Sequence, residues 1–281
     1  MESAAEHRQG IFSGVEKGLL ITADETRRLA REAGLAAGVL EKDYAITWLL
    51  YGVYYRDSKL RNSLILKGGT AIRKVYFPKT WRLSEDLDFT IVNKGRPEVV
   101  RAGFEEVFSF LASASGITFS LQDFNPGMWS ILADIQYVGP LGAKNRIAHD
   151  ITLKERLVEE PEWRIISPEY PDLEKFKVKV YSLTEVLTEK IRSIIQRGKT
   201  RDYYDVWRLL KEKSFDKKKI RGLLVKKCEV AGVEYQPELI FDPKRLDEAE
   251  RYWEPALGYL TKDLPEFKKV ISELRSVLDF L

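Results

Sequence analysis

In the stretch LILKGGTAIRKVYFPKTWRLSEDLDFTI, Gly68 and Gly69 follow an apolar run, and Asp86 and Asp88 stand two residues apart where a second apolar run begins. Residues two apart on a strand project from one face. Both carboxylates therefore point the same way, while Leu87 and Phe89 point into the core. Like charges this close repel unless a cation lies between them, and a divalent ion held by oxygens is the simplest resolution. The plainer alternative is a solvated strand start, with Ser84, Glu85 and Asp86 as a polar turn. A glycine pair between strand and helix lets the backbone approach a ligand and leaves N–H groups at the helix start, where phosphate is welcome. Lys67 adds a positive charge beside it. The spacing is neither a Walker A loop nor a dinucleotide fingerprint, and taken alone Gly-Gly equally describes a tight turn.

Charged residues also fall where an apolar face is expected. Ser182 and Glu185 form a capping box for a helix through about Gln196. Lys190 is inside the stripe made by Leu183, Val186, Leu187, Ile191 and Ile194, so it must snorkel outward or meet an anion. In RDYYDVWRLL, Asp202 and Asp205 are three apart and share a helix face with Val206 and Leu209. Asp202 can answer the helix dipole from the first turn, an account that serves Asp205 less well. Arg197, Lys199 and Arg201 bracket this segment and could neutralise phosphates or an RNA backbone. They could equally form a solvated basic turn paired with Asp202 and Asp205.

The elements that must position these groups follow from patterning. TADE at Thr22–Glu25 starts a helix to about Ala33, Gly34 and Gly38 break the pattern, and VLEKDYAITWLLYGVYYRD reads as a longer, mostly buried helix. SLILKGG is a short buried strand, TAIRKVYF a short helix stopped by Pro78, and DLDFTIV a strand. An amphipathic helix over PEVVRAGFEEVFSFLASAS precedes three strands, ITFSLQDF, WSILADIQYV and NRIAHDITL; His149 in the last reads as an outward strand residue rather than a ligand. The Pro-rich EEPEWRIISPEYPDLEKF reads as a loop or linker, KVKVY as one more strand, and the remainder as helices. The first ~180 residues are thus α+β and the rest helical.

The 281 residues are 44% hydrophobic and 32% charged, with net charge +3, enough for a sizeable core and too balanced to name a partner. One cysteine rules out an intrachain disulfide, and two histidines leave almost no room for a Cys/His zinc site. A metal here would be Mg2+ or Mn2+ on carboxylate oxygens. The start of the chain has no basic and apolar leader pattern, and no run approaches a membrane span, which points to a cytoplasmic protein with no membrane partner.

With Gly-Gly, a helix and then Asp-x-Asp on the next strand, the sequence resembles the nucleotidyltransferase superfamily of DNA polymerase beta. It resembles more closely the AbiEii/AbiGii nucleotidyltransferases, toxins of type IV toxin–antitoxin systems. LKGGTAIRKVY and RLSEDLDF carry the resemblance, and LEKDYAITWLL and SLTEVLTEKIRSIIQRGKTRDYYDVWRLL extend it over most of the chain. It implies a polymerase-beta-like α+β domain with a mixed sheet over residues 1–180, N-terminal helices included, a helical C-terminal domain over 181–281, and a site between them. It implies Mg2+ (or Mn2+) on Asp86 and Asp88, with a third carboxylate from a later strand. Asp134 and Asp150 are the candidates, and Asp150 fits better, because DITLKER sets an acid before an apolar residue and the basic Lys154 and Arg156. An NTP would place its triphosphate on Gly68, Gly69 and Thr70, among Lys67, Arg82 and Ser84. Lys190 would meet the phosphates, Asp205 would support that lysine or act as a base, and Asp202 and Arg201 would belong to the substrate site. The implied reaction moves an NMP from an NTP to an acceptor hydroxyl, with RNA, tRNA in particular, as the acceptor and a cognate antitoxin encoded nearby. Kinase-like phosphoryl transfer, nucleotide binding without turnover, and a helical interaction module with structural acidic pairs stay open beside it.

Overall fold

The structure is a computed structural model that describes residues 20–92, 96–153 and 157–281; Lys154, Arg156 and the start of the chain lie outside them. Thr22 caps α1 (Ala23–Ala33) by accepting from the Glu25 amide at 3.2 Å. The chain leaves that helix through Gly34 in the left-handed conformation. Gly38 does not break the pattern as expected, but belongs to the first turn of α2 (Ala37–Tyr54). From Tyr44 to Tyr54, α2 is buried on every side, as its nearly continuous apolar sequence requires.

Among the described residues one seven-stranded mixed sheet holds all the strands, in the order β3-β4-β5-β2-β1-β7-β6. They are β1 (Leu64–Lys67), β2 (Asp86–Ile91), β3 (Thr118–Pro126), β4 (Ser130–Val138), β5 (Lys144–Thr152), β6 (Glu162–Ile166) and β7 (Phe176–Val180). The β2–β5 and β1–β7 pairs are parallel and the others antiparallel. The Pro-rich stretch read as a linker contains β6, which pairs with β7 from Glu162↔Val180 to Ile166↔Phe176. Its prolines, at 161, 168 and 171, flank the strand rather than interrupt it, and it lies at the sheet edge, where a short strand is tolerated.

Helix α4 (Pro97–Ser115) packs beside α2, and their apolar faces join Leu66, Leu87 and Phe89 in one core. His149 faces this core too, 5.4 Å from the Phe104 ring and 5.8 Å from that of Phe89. It is not the outward residue expected, because the face of β5 that alternates away from Asp150 is the buried one. The helical half comprises α5 (Leu183–Arg197), α6 (Thr200–Glu212), α7 (Lys217–Val230), α8 (Pro243–Arg251), α9 (Trp253–Leu257) and α10 (Phe267–Val277). A second core gathers these helices and takes in Ile65, Ile72 and Trp81 from the sheet half.

Candidate active site

β1 runs directly into α3 (Gly68–Ala71), which continues as a π turn over Ile72–Tyr76. Gly68 has φ 70°, and a Cβ there would lie 2.2 Å from Asp88 Oδ2. Glycine is required twice over, by the left-handed backbone and by the carboxylate pressed against it. At Gly69 a Cβ would meet Ser84 Oγ at 3.0 Å and Arg82 Nη2 at 3.2 Å. Thr70 Oγ1 donates to the Asp86 carbonyl at 2.5 Å, tying the first helical turn to β2. A buried ion pair steadies the far end: Lys74 donates to Asp43 Oδ2 of α2 at 2.5 Å, and Tyr170 to the same oxygen at 2.7 Å.

β2 presents Asp86 and Asp88 on one face and buries Leu87 and Phe89 on the other, as strand alternation dictates. The parallel register sets Asp88 opposite Asp150, and the antiparallel one sets Lys67 opposite Asp88. Asp134 lies one strand further out, opposite Ala148, with Arg146 at 3.5 Å. Burial raises the Asp88 carboxyl to about 6; Lys67 and Lys190 oppose the shift, and Asp86 and Asp150 add to it. Lys67 donates to Thr152 Oγ1 at 3.0 Å and lies 3.9 Å from Glu189.

The helical half supplies a second set of charges. Lys190 does not snorkel: its Nζ donates to Asp202 Oδ1 at 2.7 Å and lies 3.0 Å from Asp205 Oδ2. Asp205 is 0% exposed and also receives Arg82 through Nε at 2.9 Å and Nη2 at 2.6 Å, and Trp81 Nε1 at 3.2 Å. Burial works against the ionised Asp205, but Arg82 and then Lys190 outweigh it and hold its carboxyl below the usual range. Burial likewise opposes the Lys190 ammonium, and Asp202 and Asp205 override it, raising its pKa. Of the basic cluster, Arg197 lies 3.7 Å from Asp202. Arg201 goes to Glu85 and Asp86 rather than to Asp202 or Asp205.

Two cavities flank the acids. One, of about 730 Å³, is lined by Lys67, Gly68, Trp129, Thr152, Glu189 and Arg192 among others. The other, of about 540 Å³, is lined by Gly69, Arg82, Ser84, Asp86, Lys199 and Arg201 among others. Asp88, Asp150, Lys190, Arg197 and Asp202 line both. Sequence reasoning missed Glu189 and Trp129 here, and missed Glu85 as more than a turn residue. Glu189 stands beside Lys190 on a helix whose apolar face it interrupts, a signal that was available; Trp129 gave none.

No three His, Cys, Asp or Glu side chains form a ready metal cage among the described residues. Asp86 Oδ2 is instead 3.5 Å from Arg201 Nη1. The donor set nevertheless suits a hard cation, being all carboxylate oxygen on two adjacent strands. Burial first, with Asp86 and Asp150 adding to it, keeps the Asp88 carboxyl raised against Lys67 and Lys190.

A family model described as "Nucleotidyl transferase AbiEii toxin, Type IV TA system" matches residues 48–277. Comparison with curated proteins gives no match. Among solved structures, the chain is similar to MenT4, a nucleotidyltransferase toxin from Mycobacterium tuberculosis, with 22% identity and a TM-score of 0.69 over 92% of this chain and 89% of that one. At that identity the likeness concerns the fold, a mixed sheet with helices.

Proposed function

The chain belongs to the AbiEii nucleotidyltransferase toxin family, and from that premise we propose that it transfers an NMP from an NTP to a hydroxyl of RNA, in the cytoplasm, with a divalent cation. The observation that carries this reading is the packing of Gly68 against Asp88, with Asp150 beside it, so that backbone amides and carboxylates share one cleft. A Mg2+ or Mn2+ ion held by Asp86, Asp88 and Asp150 would supply positive charge at the reacting phosphate. Asp134 is the weaker third carboxylate, since its register partner is Ala148.

The acceptor hydroxyl gives up its proton to solvent and its oxygen forms a bond to the α-phosphorus while the bond from that phosphorus to the pyrophosphate oxygen breaks. Attack and departure lie on opposite sides, which suits two cavities meeting at the acids. The triphosphate takes the side of Gly69, Thr70, Arg82 and Ser84, where amides, a hydroxyl and a guanidinium converge. The acceptor end takes the side of Lys67, Thr152 and Trp129, the last 61% exposed. Lys190 lines both cavities and faces the departing charge. Asp205 acts by position: it is fully buried and committed to Arg82 and Lys190, so it serves them rather than taking a proton. The division at 180/181 belongs to the same proposal, a sheet half carrying the acids and a helical half carrying Lys190.

NTPs labelled at the α- or γ-phosphate, incubated with Mg2+ and total RNA, test the reading. Label entering RNA from the α-position alone supports it, with tRNA 3′ ends the first species to look for. Transfer from the γ-position would make the protein a kinase, and no transfer from either would leave nucleotide binding without turnover. Expression without the antitoxin is expected to arrest growth, and Asp88→Asn to relieve the arrest.

A further inference from the structure

Arg201 starts in α6, in the helical half, and ends at β2. Its Nη2 donates to Glu85 Oε2 at 2.6 Å and to Tyr259 Oη at 2.8 Å, and its Nε to the Ala256 carbonyl at 3.3 Å. The Tyr259 hydroxyl donates in turn to Glu85 Oε2 at 2.5 Å, and Lys42 of α2 reaches Glu85 Oε1 at 3.4 Å. Glu85 thus collects donors from α2, from α6 and from the turn after α9. The contact of Arg201 with Asp86 is of another kind, a single 3.5 Å approach of Nη1 to Oδ2 with the aspartate side chain 49% exposed. A guanidinium does not deprotonate in proteins. It is a permanent positive charge beside a carboxylate that a divalent ion would also need.

We propose that Arg201 is a resident cation competing with the divalent ion for Asp86, and that Glu85 and Tyr259 park it one residue along the strand. The proposal rests on the reading of Asp86 as a metal ligand. It accounts for two facts together: the acids are not gathered into a cage, and the charge nearest Asp86 is held by stronger bonds to other groups. Released from Tyr259, the guanidinium would swing toward Asp86 and make metal entry harder. Removed altogether, it would leave Asp86 open. Glu85 and Tyr259 are then positioning residues, acting on the cation through an arginine.

The test is Mn2+ binding to the nucleotide-free full chain, followed by the electron paramagnetic resonance of free Mn2+. Arg201→Gln is expected to tighten binding roughly two- to fivefold, the size of one partly exposed ion pair. Tyr259→Phe, which changes no charge, is expected to weaken it by a similar factor, and Tyr259→Phe combined with Arg201→Gln to match Arg201→Gln alone. If Arg201→Gln does not fold, Tyr259→Phe still decides: wild-type affinity in that variant overturns the proposal. Unchanged or weaker Mn2+ binding in folded Arg201→Gln, with binding lost in Asp86→Asn, makes Arg201 a strut and sinks the competition. Undiminished binding in Asp86→Asn overturns the metal reading itself, and the proposal with it.

Discussion

The sheet and the helical half each bring carboxylates to the same cleft, and the protein treats them in opposite ways. Asp88, on the sheet, has Asp86 and Asp150 for neighbours and a carboxyl raised to about 6. Asp205, on α6, is more deeply buried, yet its carboxyl is lowered, because Arg82 and Lys190 close on it. Burial raises both; at Asp88 Lys67 and Lys190 oppose the shift without overcoming it, whereas at Asp205 Arg82 and Lys190 bond the carboxylate directly and reverse it. The buried carboxylate of α6 has its cations closed on it, Lys190 from α5 and Arg82 reaching across from the sheet half. On the sheet, burial and the neighbouring Asp86 and Asp150 outweigh Lys67 and Lys190 at Asp88, an arrangement that suits a site recruiting a cation and a nucleotide.

Removing Asp205 should break the comparison hardest. Asp205→Ala leaves Arg82 and Lys190 buried with one partner fewer, and a loss of about 3–5 kcal/mol is expected in chemical denaturation. A loss below 1 kcal/mol would mean that the pairs contribute little. Lys190→Met keeps the unbranched stem and removes the charge. Since Asp205 retains Arg82, an intermediate loss of about 1–3 kcal/mol is expected, together with a fall in turnover. Turnover near wild type would confine Lys190 to structure.

The two regions should also answer pH with opposite sign when divalent ions are chelated. Asp88 binds its proton more tightly folded than unfolded, so its contribution makes the native state less stable as pH rises from about 4 to about 6. Asp205 is the reverse: its contribution is present above the ordinary carboxylate range and is lost as pH falls below it. Comparing wild type with Asp88→Asn across this window isolates the first slope, which the variant should lack. The smallest effect is expected from Arg197→Ala, an exposed side chain 3.7 Å from Asp202, with stability changed by less than about 0.5 kcal/mol.

Much of the sheet half was legible because its signals are local. Alternation put Asp86 and Asp88 on one face, and the glycine pair ended β1 where expected. The resemblance favoured Asp150 over Asp134, and the β2–β5 register is what brings it beside Asp88. β6 was hidden because prolines at both ends mask five extended residues. The helical pairings were hidden for a different reason. An apolar stripe shows that Lys190 faces inward, but the Arg82–Asp205 contact spans 123 positions of chain. The Arg201–Glu85 contact spans 116. No local pattern states which cation will meet which carboxylate over such distances, and so the sequence alone offers Arg201 phosphates, an RNA backbone, or Asp202 and Asp205 as partners, but not Glu85.

The central claim, a raised Asp88 carboxyl on the sheet beside an Asp205 with its cations closed on it, is tested most directly by thermal melting of wild type and Asp88→Asn, each with and without Mg2+. Mg2+ is expected to raise the wild-type Tm. Without metal, Asp88→Asn should melt at or above wild type, since it loses a repelled charge, and Mg2+ should move it little. An Asp88→Asn variant that melts well below wild type without metal, or gains as much from Mg2+ as wild type does, would contradict the account and make Asp88 a structural residue.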